Sequence, residues 1–205
     1  QEYKNPFHPF TYAHFVARKD YRKTYDVYKD DTLLNRQPKK SRKIFVCLDE
    51  QRGQYLVDGL VAMDFPLSSG VKAYPTKTGD YAVISKKEDH ASNLYGKMYD
   101  AEGKCINYNA ESTDPIPEGG RFDGSPMPYW QRLTNAGLGL HVGKVRRHPV
   151  SHGCVRLPRN VAEILYRQTS IGTPVTIQKT PLPVPEAQKI PPAQQQAVSY
   201  THLRA

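Results

Sequence analysis

Residues 42–180 are expected to form a mainly β domain, a β-sandwich or barrel with one short helix near its end and long loops over one side. Three observations carry this. Short runs rich in β-branched and aromatic residues recur at Ile44-Phe45-Val46-Cys47-Leu48, Tyr81-Ala82-Val83-Ile84-Ser85 and Pro174-Val175-Thr176-Ile177-Gln178, and such runs suit strands better than helices. Turn signals punctuate them, with Asp58-Gly59 the strongest for a two-residue hairpin. Clear helical spacing appears in one place, where Val161, Ile164 and Leu165 stand at i, i+3 and i+4.

Taken in order, residues 1–41 read as an N-terminal extension. Tyr12 to Lys29 is a candidate helix with irregular apolar spacing, and Pro38-Lys39-Lys40-Ser41 reads as a linker. The Ile44 run is a buried strand, Gln51-Arg52-Gly53-Gln54 a turn, and Tyr55–Val57 and Leu60–Phe65 the arms of the next hairpin. Residues 86–137 are polar and rich in Gly and Pro, the composition of lid or wall loops. Tyr95, Tyr99, Tyr108, Tyr129 and Trp130 within them either line a groove or pack beneath the loops. Asn160 and Glu163 suggest a capping box opening the helix, which ends before Gly172. Residues 181–196, with five prolines and a glutamine run, predict an extended, disordered tail. The last stretch, Val198 to Ala205, resembles a translated adaptor scar and is left out of the fold.

The chain has 205 residues and 38% hydrophobic content, enough for one core and a small appendage. No apolar run approaches membrane-helix length, so no integral membrane segment is expected. The chain starts at Gln1, not Met, which is what removal or omission of a preceding export signal would leave. Three cysteines fit either redox compartment; Cys47 reads as a core residue, and Cys105 as inert or paired with Cys47. Net charge is +9, of which residues 1–43 hold +6. Such an arm suggests an anionic partner. Its eight aromatics, from Tyr3 to Tyr28, favour packing on the domain or contact with a polymer over nucleic-acid binding, and no nucleic-acid motif is present.

Chemistry concentrates in Ser151-His152-Gly153-Cys154-Val155-Arg156, with His141 upstream in Gly139-Leu140-His141-Val142-Gly143. These groups are the parts of thiol-based acyl transfer. Cys154 is the nucleophile and His141 the base that deprotonates it. Thirteen residues separate them, so strand pairing or a loop must bring them together. No carboxylate lies between, which makes a backbone carbonyl near Val142 or Gly143 the expected orienter of the imidazole. Gly153 permits a tight turn, and the N–H of Cys154, with that of Gly153 as a second candidate, suits an oxyanion. His152 is placed to bond substrate. If residues 154–156 are extended, Arg156 shares a face with Cys154 and suits a carboxylate. His148, before Pro149, reads as a loop histidine. A zinc site from these groups is disfavoured by spacing, and no metal or cofactor is called for.

At these residues the chain resembles the L,D-transpeptidase catalytic domain family, which acts on bacterial peptidoglycan. The resemblance extends over roughly residues 42–178, through Arg42–Gly59, Phe65–Gly70, Tyr74–Tyr81, Pro126–Trp130 and Leu138–His141. It implies that Cys154 is the acyl nucleophile, His141 the base and Arg156 a substrate contact, with Ser151 and His152 lining the pocket. Many relatives have Gly or Ser after the upstream histidine and a longer stretch before the cysteine. Here Val142 follows, and the stretch is short. The implied reaction is attack on the third residue of a peptidoglycan tetrapeptide stem, release of D-alanine, and transfer of the acyl group to an amine. The implied place is the periplasm or cell wall. The alternatives are an L,D-carboxypeptidase that uses water and a non-catalytic wall-binding module. A papain-like peptidase is opposed by chain order, which there places Cys before His. The acceptor and the oligomeric state are left open.

Overall fold

A computed structural model describes residues 3–189. The N-terminal segment holds α1 (Tyr12–Val16), β1 (Tyr28–Lys29) and α2 (Asp31–Asn35). Thr11 and Asp30 cap the two helices by accepting from the His14 and Leu33 N–H groups. The candidate helix over 12–29 thus shrinks to one turn and a half, as its irregular apolar spacing allows. The strands β2 (Arg42–Cys47), β3 (Arg52–Val57) and β4 (Leu60–Pro66) follow as an antiparallel meander. Asp58 and Gly59 sit at φ 51° and 79°, the left-handed pair that the β3–β4 hairpin requires.

Two sequence expectations give way here. Arg52, Gly53 and Gln54 were expected in a turn, yet they lie inside β3, and Arg52 and Gln54 are fully buried. Their polar groups find partners distant in sequence: Arg52 donates to Asp64, and Gln54 to the Tyr12 hydroxyl and the Pro183 carbonyl. The strand expected over 81–85 divides into β5 (Gly79–Ala82) and β6 (Ser85–Lys87), which belong to different sheets.

Residues 86–137 depart furthest from expectation. They contain β7 (Ala91–Tyr99), β8 (Cys105–Glu111) and β9 (Arg121–Pro126), a three-stranded antiparallel sheet, followed by β10 (Trp130–Arg132). The sheet buries little beyond Met98 and Ala110, so its strands lack the apolar alternation that marks a strand in sequence. Gly96 and Gly124 permit its close strand approach, since a Cβ on either would meet backbone of the neighbouring strand.

The remaining elements are β11 (Gly139–Val142), β12 (Val155–Leu157), α3 (Arg159–Gln168), β13 (Pro174–Gln178) and α4 (Glu186–Lys189). The first sheet runs β1-β4-β3-β2-β13-β5 and the second β12-β11-β10-β6. The main core lies between them and α3: Ile44, Val46, Tyr55 and Ile177 face Leu140, Val155, Leu157 and Leu165. Burying Val161 and Leu165 contributes about 1.5–3 kcal/mol each, which fixes α3 directly after the Cys154 segment. The expected capping box does not form. Helix α3 begins at Arg159 with Pro158 as N-cap, and Glu163 instead pairs with Arg167 at 2.7 Å.

A second cluster joins Tyr12, Phe15 and Tyr21 to Leu56 and Val61 on the first sheet. At its edge Asp64 accepts from Arg52 at 2.6 Å and from the Tyr12 and Tyr21 hydroxyls at 2.8 Å each. Burial pushes the Asp64 carboxyl up, opposed first by Arg52. With three donors aimed at its oxygens, the group sits in the geometry of a carboxylate. The start of the expected free tail is docked as well. Leu182 is buried, and the Gln188 side chain bonds both the N–H and the carbonyl of Val61. The rest of that expectation, with the adaptor-like end, lies outside the described residues.

Candidate active site

Strands β11 and β12 pair in parallel, with Leu140 opposite Val155 and His141 opposite Arg156. Leu140 and Val155 point into the core, so alternation turns His141 and Arg156 to the opposite face. Cys154, one residue before β12, follows the same alternation. All three line one cavity of about 780 Å³.

His141 is buried, and its Nδ1 lies 2.7 Å from the Val142 carbonyl oxygen. That contact requires Nδ1–H as donor and leaves Nε2 with the free lone pair. The backbone carbonyl expected from the absence of a nearby carboxylate is therefore present, and it belongs to Val142. Burial, with smaller contributions from Arg156 and His90, holds the His141 pKa down to about 4. Trp130 lies against the ring at 6.0 Å, and a Cβ on Gly139 would run into that indole.

The Cys154 thiol is largely enclosed, and burial pushes its pKa up; the Gly139 N–H, Arg156 and Arg132 pull the other way. Its Sγ donates to the Gly137 carbonyl at 3.3 Å. Burial thus favours the neutral form of both the thiol and the imidazole. Ser151 shapes the turn before the thiol: its hydroxyl donates to the Cys154 carbonyl at 2.5 Å and accepts from the Gly153 N–H at 3.2 Å. The Gly153 N–H is thereby engaged, while the Cys154 N–H has no partner among the described residues. Gly153 sits at φ 114°, where a side chain would be strained.

The segment 68–76 cradles this turn. Ser68 bridges to Arg156 and Gly70 to Ser151, and the Thr76 hydroxyl donates to the Gly153 carbonyl at 2.6 Å. Gly70 is packed so closely that a Cβ would overlap the Tyr74 carbonyl and the Gly153 backbone. Arg156 is half-buried, its aliphatic stem crosses Gly143, and its guanidinium bonds no protein group among the described residues. His152 is stacked on Tyr95 at 4.4 Å and tilted against Tyr74 at 4.8 Å, which ties the Cys154 turn to β7 of the three-stranded sheet.

Sequence reasoning missed several cavity residues. Arg132 and His90 line it, flanking Trp130 by cation–π contact at 5.7 Å and stacking at 5.1 Å. Thr76 and the Gly137 carbonyl were equally silent, because nothing in their local sequence distinguishes them from ordinary loop residues. Tyr95, Tyr108 and Trp130 face the cavity; Tyr99 and Tyr129 do not line it. His148 is exposed and outside it. All three cysteines are free, so Cys105 and Cys47 are not bridged.

Fold and site together define a mainly β protein with a buried imidazole and a thiol opening on one cavity. The chain belongs to the L,D-transpeptidase catalytic domain family (YkuD), whose family model matches residues 41–177. It is similar to the probable L,D-transpeptidase 3 of Mycobacterium tuberculosis, with 31% identity over 121 residues, covering 56% of this chain and 38% of that protein. Among solved structures, an L,D-transpeptidase from Mycobacterium smegmatis aligns with TM-score 0.52 and 22% identity, over 67% of this chain and 58% of that one. L,D-transpeptidase 3 from Mycobacterium tuberculosis aligns with TM-score 0.50 and 24% identity, over 67% and 61%. These structures share the fold, and the chain spans less than two thirds of each relative.

Proposed function

We propose that this domain is an L,D-transpeptidase of the bacterial cell wall, acting outside the cytoplasm on tetrapeptide stems of peptidoglycan. The observation that carries this reading is the β11–β12 register, which brings His141, Arg156 and Cys154 to one cavity with His141 Nδ1 locked to Val142. Nε2 of His141 takes the Cys154 proton as Sγ attacks the carbonyl carbon of the third stem residue. The oxyanion meets the Cys154 N–H. Collapse breaks the C–N bond, and the imidazolium gives its proton to the departing D-alanine amine. A thioester remains on Cys154. An acceptor amine then attacks it, passing a proton to His141, and the new amide leaves as the thiolate is reprotonated. Arg156 holds a stem carboxylate, and His152, braced by Tyr95 and Tyr74, forms one wall with Ser151 behind the turn. No helix among the described residues is long and apolar enough to cross a membrane.

The test is mass spectrometry of tetrapeptide muropeptides incubated with the protein and with Cys154→Ala. Cys-dependent dimers that have lost D-alanine support the transpeptidase reading. Tripeptides alone convert it to a carboxypeptidase. Unaltered stems with a folded, thiol-reactive protein sink it and leave a wall-binding module.

A further inference from the structure

Between His141 and Cys154 the chain makes an excursion, residues 143–153, whose inner edge is fastened to the Ser68 hydroxyl and the Ser69 carbonyl. Its outer edge is held in part by residues that precede the matched span of 41–177. Arg147 lies away from the cavity, donating Nη1 to the Thr24 carbonyl of the N-terminal segment at 2.9 Å and Nη2 to the Glu50 carbonyl, between β2 and β3, at 2.8 Å. The neighbouring Arg146 carbonyl accepts from the Tyr25 hydroxyl at 3.2 Å.

Three features mark this as more than incidental packing. Arg147 has φ 56°, in the left-handed region where glycine is the strain-free residue. A long cation kept on a glycine-favouring backbone is there for what its side chain reaches. The Thr24 carbonyl also accepts from Arg52 at 3.0 Å, so two guanidiniums converge on one oxygen, a like-charge approach offset by the buried Asp64 carboxylate bound to Arg52. The 18–26 turn is itself stiffened, because Arg18 pairs with both Asp20 and Asp26 at 2.7 and 2.8 Å. Residues 20–26 precede the matched span of 41–177, yet they wedge between β3 and the loop that carries the thiol.

We propose that the N-terminal segment 20–26 is a brace for the nucleophile loop, with Arg147 as the positioning residue that transmits it to Cys154, seven residues further along the chain. This rests on the reading of Cys154 as nucleophile. Arg147 touches no reacting atom; it holds the loop so that the thiol stays enclosed beside Gly137 and Gly139 and in line with His141.

The experiment compares the full chain with Arg147→Gly, which relieves the backbone while deleting the side chain, and Arg147→Lys, which keeps the charge but offers no fork to bridge two carbonyls. Two readouts are taken per folded molecule: turnover of tetrapeptide stems, split into kcat and KM, and the pH profile of Cys154 alkylation by iodoacetamide, read by peptide mapping. Arg147→Gly is expected to lower kcat about tenfold or more with KM little changed, the scale of misplacement remote from the chemistry. Its alkylation profile is expected to move to lower pH as water reaches the thiol, with Arg147→Lys intermediate in both. A loss of melting temperature alone, with kcat and the alkylation profile of the folded protein intact, overturns the proposal. The alkylation arm needs no peptidoglycan, so it judges the brace even if stems prove not to be the substrate. Should Arg147→Gly fail to fold, Arg147→Lys decides by the same two readouts.

Discussion

Lowering the pH is the most direct perturbation of His141. The imidazole is buried beside Trp130, and burial holds its pKa down to about 4 against an ordinary 6.5. At pH 5 such a group is still about 90% neutral, whereas a solvated histidine is about 3% neutral. The base form of His141 is therefore expected to persist well below the usual histidine range. The acid limb of kcat/KM for D-alanine release then falls near pH 4 instead of near 6.5, provided Trp130 fluorescence shows the fold intact at each pH. The same depression bears on stability. Above the unfolded pKa both states hold a neutral ring and the group contributes nothing differential with pH. As pH falls from about 6.5 toward 4, the unfolded chain takes the proton and the folded chain refuses it, so stability declines and levels off once the folded ring protonates. The gap corresponds to about 3 kcal/mol. Urea unfolding of the protein and of His141→Asn between pH 7.5 and 4 isolates it: the wild type is expected to lose that much more. An acid limb near 6.5, or equal pH dependence in the two proteins, would refute the picture of a desolvated imidazole locked to Val142.

Other consequences are equally concrete. Arg156→Ala is expected to weaken turnover of stems bearing a free carboxylate by about tenfold or more while sparing amidated stems; equal loss on both contradicts its assigned role. Asp64→Ala strands Arg52 at full burial and is expected to cost about 3–5 kcal/mol in urea unfolding, with the double replacement Arg52→Met, Asp64→Leu recovering much of it. Gly139→Ala drives a methyl into the Trp130 ring and the Gln131 carbonyl; a loss of about 1–3 kcal/mol is expected, and a neutral result would mean that Trp130 is free to move.

The candidate site was legible because it is local. Ser151 to Arg156 is one contiguous stretch, and the absence of any carboxylate between His141 and Cys154 already pointed to a backbone carbonyl as the imidazole's partner. The hairpin at Asp58-Gly59 and the helix stripe of Val161 and Leu165 were legible for the same reason: φ > 0 preferences and 3.6-residue periodicity are properties of neighbouring residues. What becomes of the second oxyanion candidate, the Gly153 N–H beside that of Cys154, was not: the Ser151 hydroxyl accepts from it, a contact made by the fold of the turn.

What the chain order could not convey depends on contacts between distant segments. Arg52 and Gln54 look like turn residues until Asp64, Tyr12 and Pro183 arrive to satisfy them inside a strand. The three-stranded sheet of residues 91–126 has no buried face to impose alternation, so its backbone pairing leaves no periodic trace. The aromatic, basic N-terminal segment announces only that it will pack or bind. Its place beneath Arg147, and the strained backbone that place sustains, arise from three-dimensional closure, because hydrogen bonds from one guanidinium to two carbonyls far apart in the chain are written in no local pattern.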